Sequence, residues 1–240
     1  MSIYTIIVMA LNLTVGFTGL VNLGHMVFFG IGAYTSALLT LHGVPWYAAI
    51  FVAGAIASIL GILIAAITSR LKGDYLAMVT LGLVFIAIAS SRNWISLTRG
   101  ALGLPGVPKI IINNFYYMIF TLAIASLCTF IFYKIVNSET GKILQAIRDD
   151  ETAAAILGKN TYAYKILSIA VSTFFAGIAG SLFVHHINFV DPTIFDLSFF
   201  VLILAMLILG GLASIKGSIA GVFILVFLTK AYKAKIPPSP

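Results

Sequence analysis

The stretch NSETGKILQAIRDDETAAAILGKNTYAYK (residues 137–165) is the only extended polar run in the chain. It carries eight of the 21 formal charges and four of the seven acids, Glu139, Asp149, Asp150 and Glu151. Within it, Asp150 to Gly158 reads as a short helix lying outside lipid. Acids at its start suit the positive end of a helix dipole. Three consecutive alanines favour helix, and Gly158 is a natural left-handed stop. Asn160 or Thr161 is placed to cap the helix that follows. Charge alone reads as a solvated connector. The rest of the sequence raises the sharper alternative, a handle by which a soluble partner moves a membrane bundle.

Around that run, 61% of the 240 residues are apolar and only 9% charged, with a mean hydropathy of +1.11. Soluble domains carry about 25% charged residues, so this chain must hide its surface in lipid. Its apolar runs reach the roughly 20 residues that a spanning helix needs. The expected fold is all-α, a polytopic transmembrane helix bundle with about seven or eight membrane segments, some interrupted or re-entrant. Residues 1–231 read as one transmembrane domain and 232–240 as a disordered tail. Cys128 is the single cysteine, which excludes a disulfide within the chain and argues against a metal cluster. The net charge of +7 gathers at segment ends, as membrane topology requires, and is no nucleic-acid signature. Met1-Ser2 leads straight into an apolar helix without a basic leader region, so no secretory signal peptide is expected.

Residues 3–21 form the first expected segment, ending in a break from Gly16 to His25 that holds three glycines, Asn22 and His25. In lipid, backbone groups freed by a break need partners or a water-lined cavity. Residues 26–41, 45–68 and 75–91 are the next segments, separated by Pro45 and by the charged turn Arg70–Asp74. Asp74 and Tyr75 suit the interface, one as a cap and the other as an anchor. Gly54/Ser58, Ala57/Gly61 and the series Ser172, Ala176, Gly180 are small-residue spacings that let helices approach closely. Residues 92–114 read as a loop whose centre, Gly100 to Pro108, cannot be helical. Residues 115–136 and 162–190 are further segments, then 197–209 and 218–231 flank a second break at Gly210–Gly217. The two breaks share a Gly-Leu-x-polar-apolar pattern, Gly19 to Leu23 and Gly211 to Ile215. Paired interruptions in two halves of a transporter often mark an internal repeat; five positions are also within reach of chance.

Placing the polar run in the cytoplasm gives the inside Arg70, Lys72, Lys134, Lys142, Arg148, Lys159, Lys165 and Lys216. The outside then receives Arg92, Arg99 and Lys109, and this bias agrees with the positive-inside rule. Lys230, Lys233 and Lys235 fall outside too, unless one of the last two segments does not span. A re-entrant hairpin or a missing further helix leaves them outside; only a segment that does not span brings them inside.

Several blocks now align with a known family. They are Gly19 to His25 with Phe28 to Tyr34, Gly73 to Gly82, Gly103 to Pro108, Ala146 to Gly158, and Leu209 to Gly217. In that order, across most of the chain, they resemble the LivM-type membrane subunit of ABC importers for branched-chain amino acids. The resemblance implies a permease in the plasma (inner) membrane of a prokaryote that forms half of a translocation pathway for leucine, isoleucine and valine. It implies four kinds of association: a homologous second permease subunit, two cytoplasmic ABC ATPases, an extracytoplasmic substrate-binding protein and the lipid bilayer. Nucleic acid is not among them. Related permeases carry urea and short amides, which stay open as substrates. The chain is shorter than members of that family usually are, so a leading segment or two and a final helix are expected to be missing. Glu151-Thr152-Ala153-Ala154 with Gly158 resembles the ATPase-coupling motif of such permeases, with Thr152 as an intervening residue.

The resemblance therefore assigns ATPase coupling to Arg148, Asp150, Glu151, Ala153, Ala154 and Gly158. The small residues would seat the helix in a groove, and Asp150, Glu151 and Arg148 would pair with charges on the ATPase. No P-loop is present and no catalytic constellation is visible, so the chain is expected to be no enzyme, with ATP and Mg²⁺ held by the partners. Asn22, Gly24 and His25 are candidates for the substrate path, because polar groups inside membranes are functional by default. Against that, His25 can cap a helix end and Asn22 can satisfy freed backbone. His185-His186 reads as an interfacial pair, and Thr80 and Ser172 as bonded to their own helices. A stand-alone secondary transporter or channel is the rival from another class. Ion coupling would need an intramembrane acid, whereas all seven acids fall in loops or at segment ends.

Overall fold

The computed structural model describes residues 1–69, 71 and 74–235, the side chains of 74 and 232–235 excepted. Arg70, Lys72 and Gly73 of the expected charged turn, and residues 236–240 of the expected tail, lie outside the described residues. The chain is an all-α bundle. In order it forms α1 (Ser2–Leu11), which runs on through a π-helical turn (Asn12–Phe17), then α2 (His25–Leu41), α3 (Trp46–Thr68), α4 (Asp74–Asn93) and the short α5 (Ile95–Thr98). After α6 (Asn114–Asn137) come α7 (Glu139–Asp149), α8 (Glu151–Ile156), α9 (Thr161–Ile187), α10 (Leu197–Gly210) and α11 (Ile215–Lys235). Two-residue strands β1 (Leu104–Pro105) and β2 (Phe189–Val190) pair antiparallel and join the two loops at one end. Among the described residues, α3, residues 75–93 of α4, α6 and α9 are long and apolar enough to cross a membrane. Residues 2–17, α2 and α10 are shorter apolar helices.

Helix α9 is the hub. Its small residues let α2 and α3 lie against it on adjacent faces, without the large side chains that would hold them apart. A Cβ on Gly177 would sit 2.7 Å from the Ala57 Cβ and 2.8 Å from the Ala53 carbonyl of α3. One on Gly32 of α2 would overlap the Gly177 backbone itself. Ser172 does not bond its own helix: its hydroxyl donates to the Ala10 carbonyl of α1 at 2.5 Å. Thr80 does bond back, to the Leu76 and Ala77 carbonyls, and also accepts from the Leu23 amide at 3.1 Å.

The first helix loses its α geometry at Asn12, earlier than the glycine count alone predicts. Thr18 marks the widened turn, its hydroxyl donating to the Leu13 carbonyl five residues back at 2.7 Å. The last two helices are a hairpin. Gly217 packs on Gly210 and Gly221 on the Met206 carbonyl, which sets α10 and α11 antiparallel and in close contact. At 14 residues, α10 rises only about 21 Å, short of the roughly 30 Å of a bilayer core. Helix α11 continues to Lys235, four residues beyond the expected end of the bundle. The polar run is not a loop with one helix in it. Residues 139–149 form a full amphipathic helix whose Gly141, Leu144 and Ile147 are buried.

Candidate functional site

The candidate site is the α7–α8 elbow and what it touches. Ser138 starts α7, accepting from the Gly141 amide at 3.4 Å. At the other end Asp150 takes an extended conformation and its Oδ1 accepts from the Thr152 and Ala153 amides at 2.8 and 3.1 Å. That is an N-cap, and it fixes the bend between the helices. Gly158 closes α8 at φ +77° with open space around it, a conformation that costs other residues steric strain. Asn160 then caps α9 through the Ala163 amide at 3.1 Å.

The sequence-predicted residues divide into two sets. Arg148, Asp150, Glu151 and Ala154 turn inward or are engaged within the chain, whereas Ala153 and Gly158 are exposed. Asp150 serves its own helix. Glu151 Oε1 lies 2.6 Å from the Lys165 ammonium on α9 and accepts from the Thr161 hydroxyl at 3.4 Å. The Lys165 side chain is only 4% exposed, so Glu151 is the counter-charge of a buried cation. Asp150 and Glu151 thus each have a partner within the chain. Arg148 binds the neighbouring Asp149 carboxylate through Nε and Nη2, and its Nη1 donates to the Gly16 carbonyl at 3.0 Å. Beside exposed polar groups such as Asp149, Thr152 and Lys159, the elbow also leaves two large apolar side chains open. Ile156 and Leu157 are 81% and 77% exposed at its tip.

The pathway candidates follow the π-helical turn and lie against α4. Asn22 Oδ1 accepts from the Gly24 amide at 3.0 Å, which satisfies freed backbone. Asn22 also lines a void of about 10 Å³ with Thr80, Thr68 and Phe28, room for one water. Gly24 lets α4 come near: a Cβ there would meet the Thr80 carbonyl at 2.7 Å. His25 does not cap α2. It is fully buried and neither ring nitrogen has a partner.

Sequence reasoning missed Asn12. It is 1% exposed; its amide donates to the Ser218 hydroxyl at 2.7 Å and the Ser214 carbonyl at 3.2 Å, and its Oδ1 accepts from the Ala213 amide at 2.9 Å. The signal was available, an amide inside an apolar helix. The π-helical turn that leads into the first break is thus bound to the second break through one side chain.

At the opposite end, His185 is buried, which overturns its reading as an interfacial residue. Its Nδ1 lies 2.8 Å from the Pro108 carbonyl and its Nε2 2.9 Å from the Ser36 hydroxyl. A carbonyl can only accept, so the proton belongs on Nδ1 and Ser36 donates to Nε2. His186 is exposed and stacks on Tyr117. Near this end a cavity of about 530 Å³ opens, with Phe183, Phe199 and Leu202 on its walls and Asp191 and Asp196 among its polar groups. Each carboxylate already caps a helical turn through one oxygen. Among the described residues no three metal-ligating side chains cluster.

Comparison with known proteins identifies the family. A family model described as the permease component of the branched-chain amino acid transport system matches residues 1–239. The high-affinity branched-chain amino acid transport system permease protein LivM of Escherichia coli K12 is 31% identical over 255 residues, covering 93% of this chain and 60% of its own length. The protein of that name from Salmonella typhimurium is also 31% identical, with 88% of this chain and 57% of its own covered. A probable branched-chain amino acid transport permease protein LivM of Methanocaldococcus jannaschii is 25% identical, covering 94% and 77%. The chain thus spans about 60% of the length of the first two relatives. No solved structure matches.

Proposed function

Because the chain belongs to the family of branched-chain amino acid transport permease components, we propose that it is a multi-pass permease subunit of an ABC importer. It forms half of a pathway for leucine, isoleucine or valine in a prokaryotic inner membrane. A second permease subunit supplies the other half and a binding protein delivers substrate near the cavity by Asp191 and Asp196. Two cytoplasmic ATPases hold ATP and Mg²⁺ and drive the cycle; this chain performs no chemistry of its own.

The observation that carries this reading is the tip of the α7–α8 elbow. Ile156 and Leu157 stand almost fully exposed in the most highly charged part of the chain, where lipid does not cover them. Exposed apolar anchors on a capped, buried-backed helix suit a groove on a protein partner. The inner side of the elbow is held by Ala154, by the Glu151–Lys165 pair and by Arg148. A push on the tip is therefore felt by α9 and by the interrupted first helix.

The test is labelling of an Ile156→Cys variant in a Cys128→Ala background with a maleimide that does not cross membranes. Assembly with the two ATPases should shield the thiol, and Leu157→Glu should abolish their co-purification. Equal labelling with and without the ATPases removes the elbow as their docking point.

A further inference from the structure

Resting on the permease reading, we propose that Arg148 is the positioning residue that joins the elbow to the interrupted first helix, and that Asn12 passes the same displacement to the α10–α11 hairpin. The π-turn frees carbonyls from the regular ladder, and Gly16 offers one of them to the Arg148 guanidinium at 3.0 Å. Hydrogen bonds from a charged donor are among the stronger ones, and this one crosses from the polar segment into the bundle. Gly19, at φ +73°, brings the chain up against the same side chain. A Cβ there would stand 2.7 Å from the Arg148 Cγ and 3.3 Å from its Cα. The arginine is thus both bonded to the break and wedged beneath it.

Four residues before Gly16, Asn12 holds Ala213, Ser214 and Ser218. Gly16 belongs to this second joint as well, since a Cβ on it would overlap the Asn12 amide oxygen and lie 2.6 Å from the Ala213 nitrogen. Arg148, Gly16, Asn12 and Ala213 therefore make one continuous path from elbow to first break to second break. Turns of this kind are frequent at functional sites. They hold their shape through side chains rather than through a full backbone ladder, so they can be displaced without melting a helix.

The test uses the importer reassembled with its partner subunits in liposomes, with labelled leucine as substrate, and reads uptake per ATP hydrolysed. Arg148→Ala should lower that ratio roughly tenfold or more, the usual scale of a coupling energy between sites. Arg148→Lys, which still reaches a carbonyl with one donor, should recover part of it. A Gly19→Cys/Arg148→Cys pair in a Cys128→Ala background should be uncoupled when reduced and regain coupling when oxidised. Its Cβ atoms would be 3.3 Å apart, just under the roughly 3.5–4.5 Å of a disulfide, so a small shift of the turn closes the bond. If Arg148→Ala fails to insert, the cysteine pair decides alone. An unchanged ratio, a proportional fall of uptake and hydrolysis together, or no recovery on oxidation overturns the proposal. The docking reading is judged separately by ATPase protection of Ile156→Cys, so protection with an unchanged ratio sinks only the joint.

Discussion

Glu151→Ala should detach α8 from the bundle, and removal of Lys165 should undo most of that damage. Lys165 Nζ is 2.6 Å from Glu151 Oε1, and the two side chains are 4% and 30% exposed. Breaking a buried pair by removing one partner costs about 3–5 kcal/mol, because the other charge stays buried without compensation. Glu151 is partly wet, so the lower bound applies when it is removed. About 3 kcal/mol is roughly a 150-fold change in an equilibrium. Lys165→Met is the asymmetric counterpart. It removes the buried charge and leaves a carboxylate that water can reach, at a cost of about 1 kcal/mol. Trypsin cleavage after Lys159 reads the detached population, since cleavage tracks that population when opening and closing are fast. Cleavage should accelerate roughly a hundredfold in Glu151→Ala and only a few-fold in the Glu151→Ala/Lys165→Met double variant. A double variant cut as fast as Glu151→Ala would show that the pair does not hold α8. The same arithmetic complicates a charge reversal at Glu151. Lost uptake in such a variant would mix a missing partner contact with a detached lever, and the double variant separates them.

Gly32→Ala should lower the unfolding midpoint by roughly 2–10 °C in thermal scans of the purified chain, because the added methyl overlaps the Gly177 backbone and overpacking costs about 1–3 kcal/mol. A midpoint unchanged within error would remove the close α2–α9 crossing. His25→Leu should leave the midpoint equal or higher, since both ring nitrogens are buried without partners and such groups cost about 1–3 kcal/mol. A fall of several degrees would reveal a partner in the resting state, and a higher midpoint with reduced leucine uptake would place His25 on the transport path.

What the sequence could say was set by what is local. Helix ends at Asp150, Gly158 and Asn160 follow from one residue's side chain or backbone acting on its neighbours, and all three are where capping chemistry puts them. Small residues on α9 announce close packing, though not that α2 and α3 are the helices that meet there. Partners distant in sequence were illegible. Glu151 read as an acid facing outward because its cation lies beyond Gly158 in the next helix, one turn in. His185 read as interfacial because the Pro108 carbonyl and Ser36 that bury it lie 77 and 149 residues away. Asn12 was overlooked beside the more conspicuous glycines, although a lone amide in an apolar helix is the costlier feature and needs a partner more. The amphipathic α7 is masked by the charge around it, which dilutes the spacing of the buried Leu144 and Ile147.

The placement of Asn12 also bears on why the interruptions resemble each other. A continuous helix satisfies its own backbone, so it gains nothing from a neighbour's amide. An interrupted one exposes amides and carbonyls that must be bonded somewhere in a medium without water. Asn12 answers for three groups at the second break, while Arg148 answers for a carbonyl at the first. Each such bond contributes about 0.5–1.5 kcal/mol net, with more when a charge takes part. The Ser214 carbonyl has a second donor in the Ser218 amide, whereas losing the Asn12 bond to the Ala213 amide removes that amide's partner, at a cost of about 1–3 kcal/mol. Each interruption is therefore held in part by a side chain from outside its own helix.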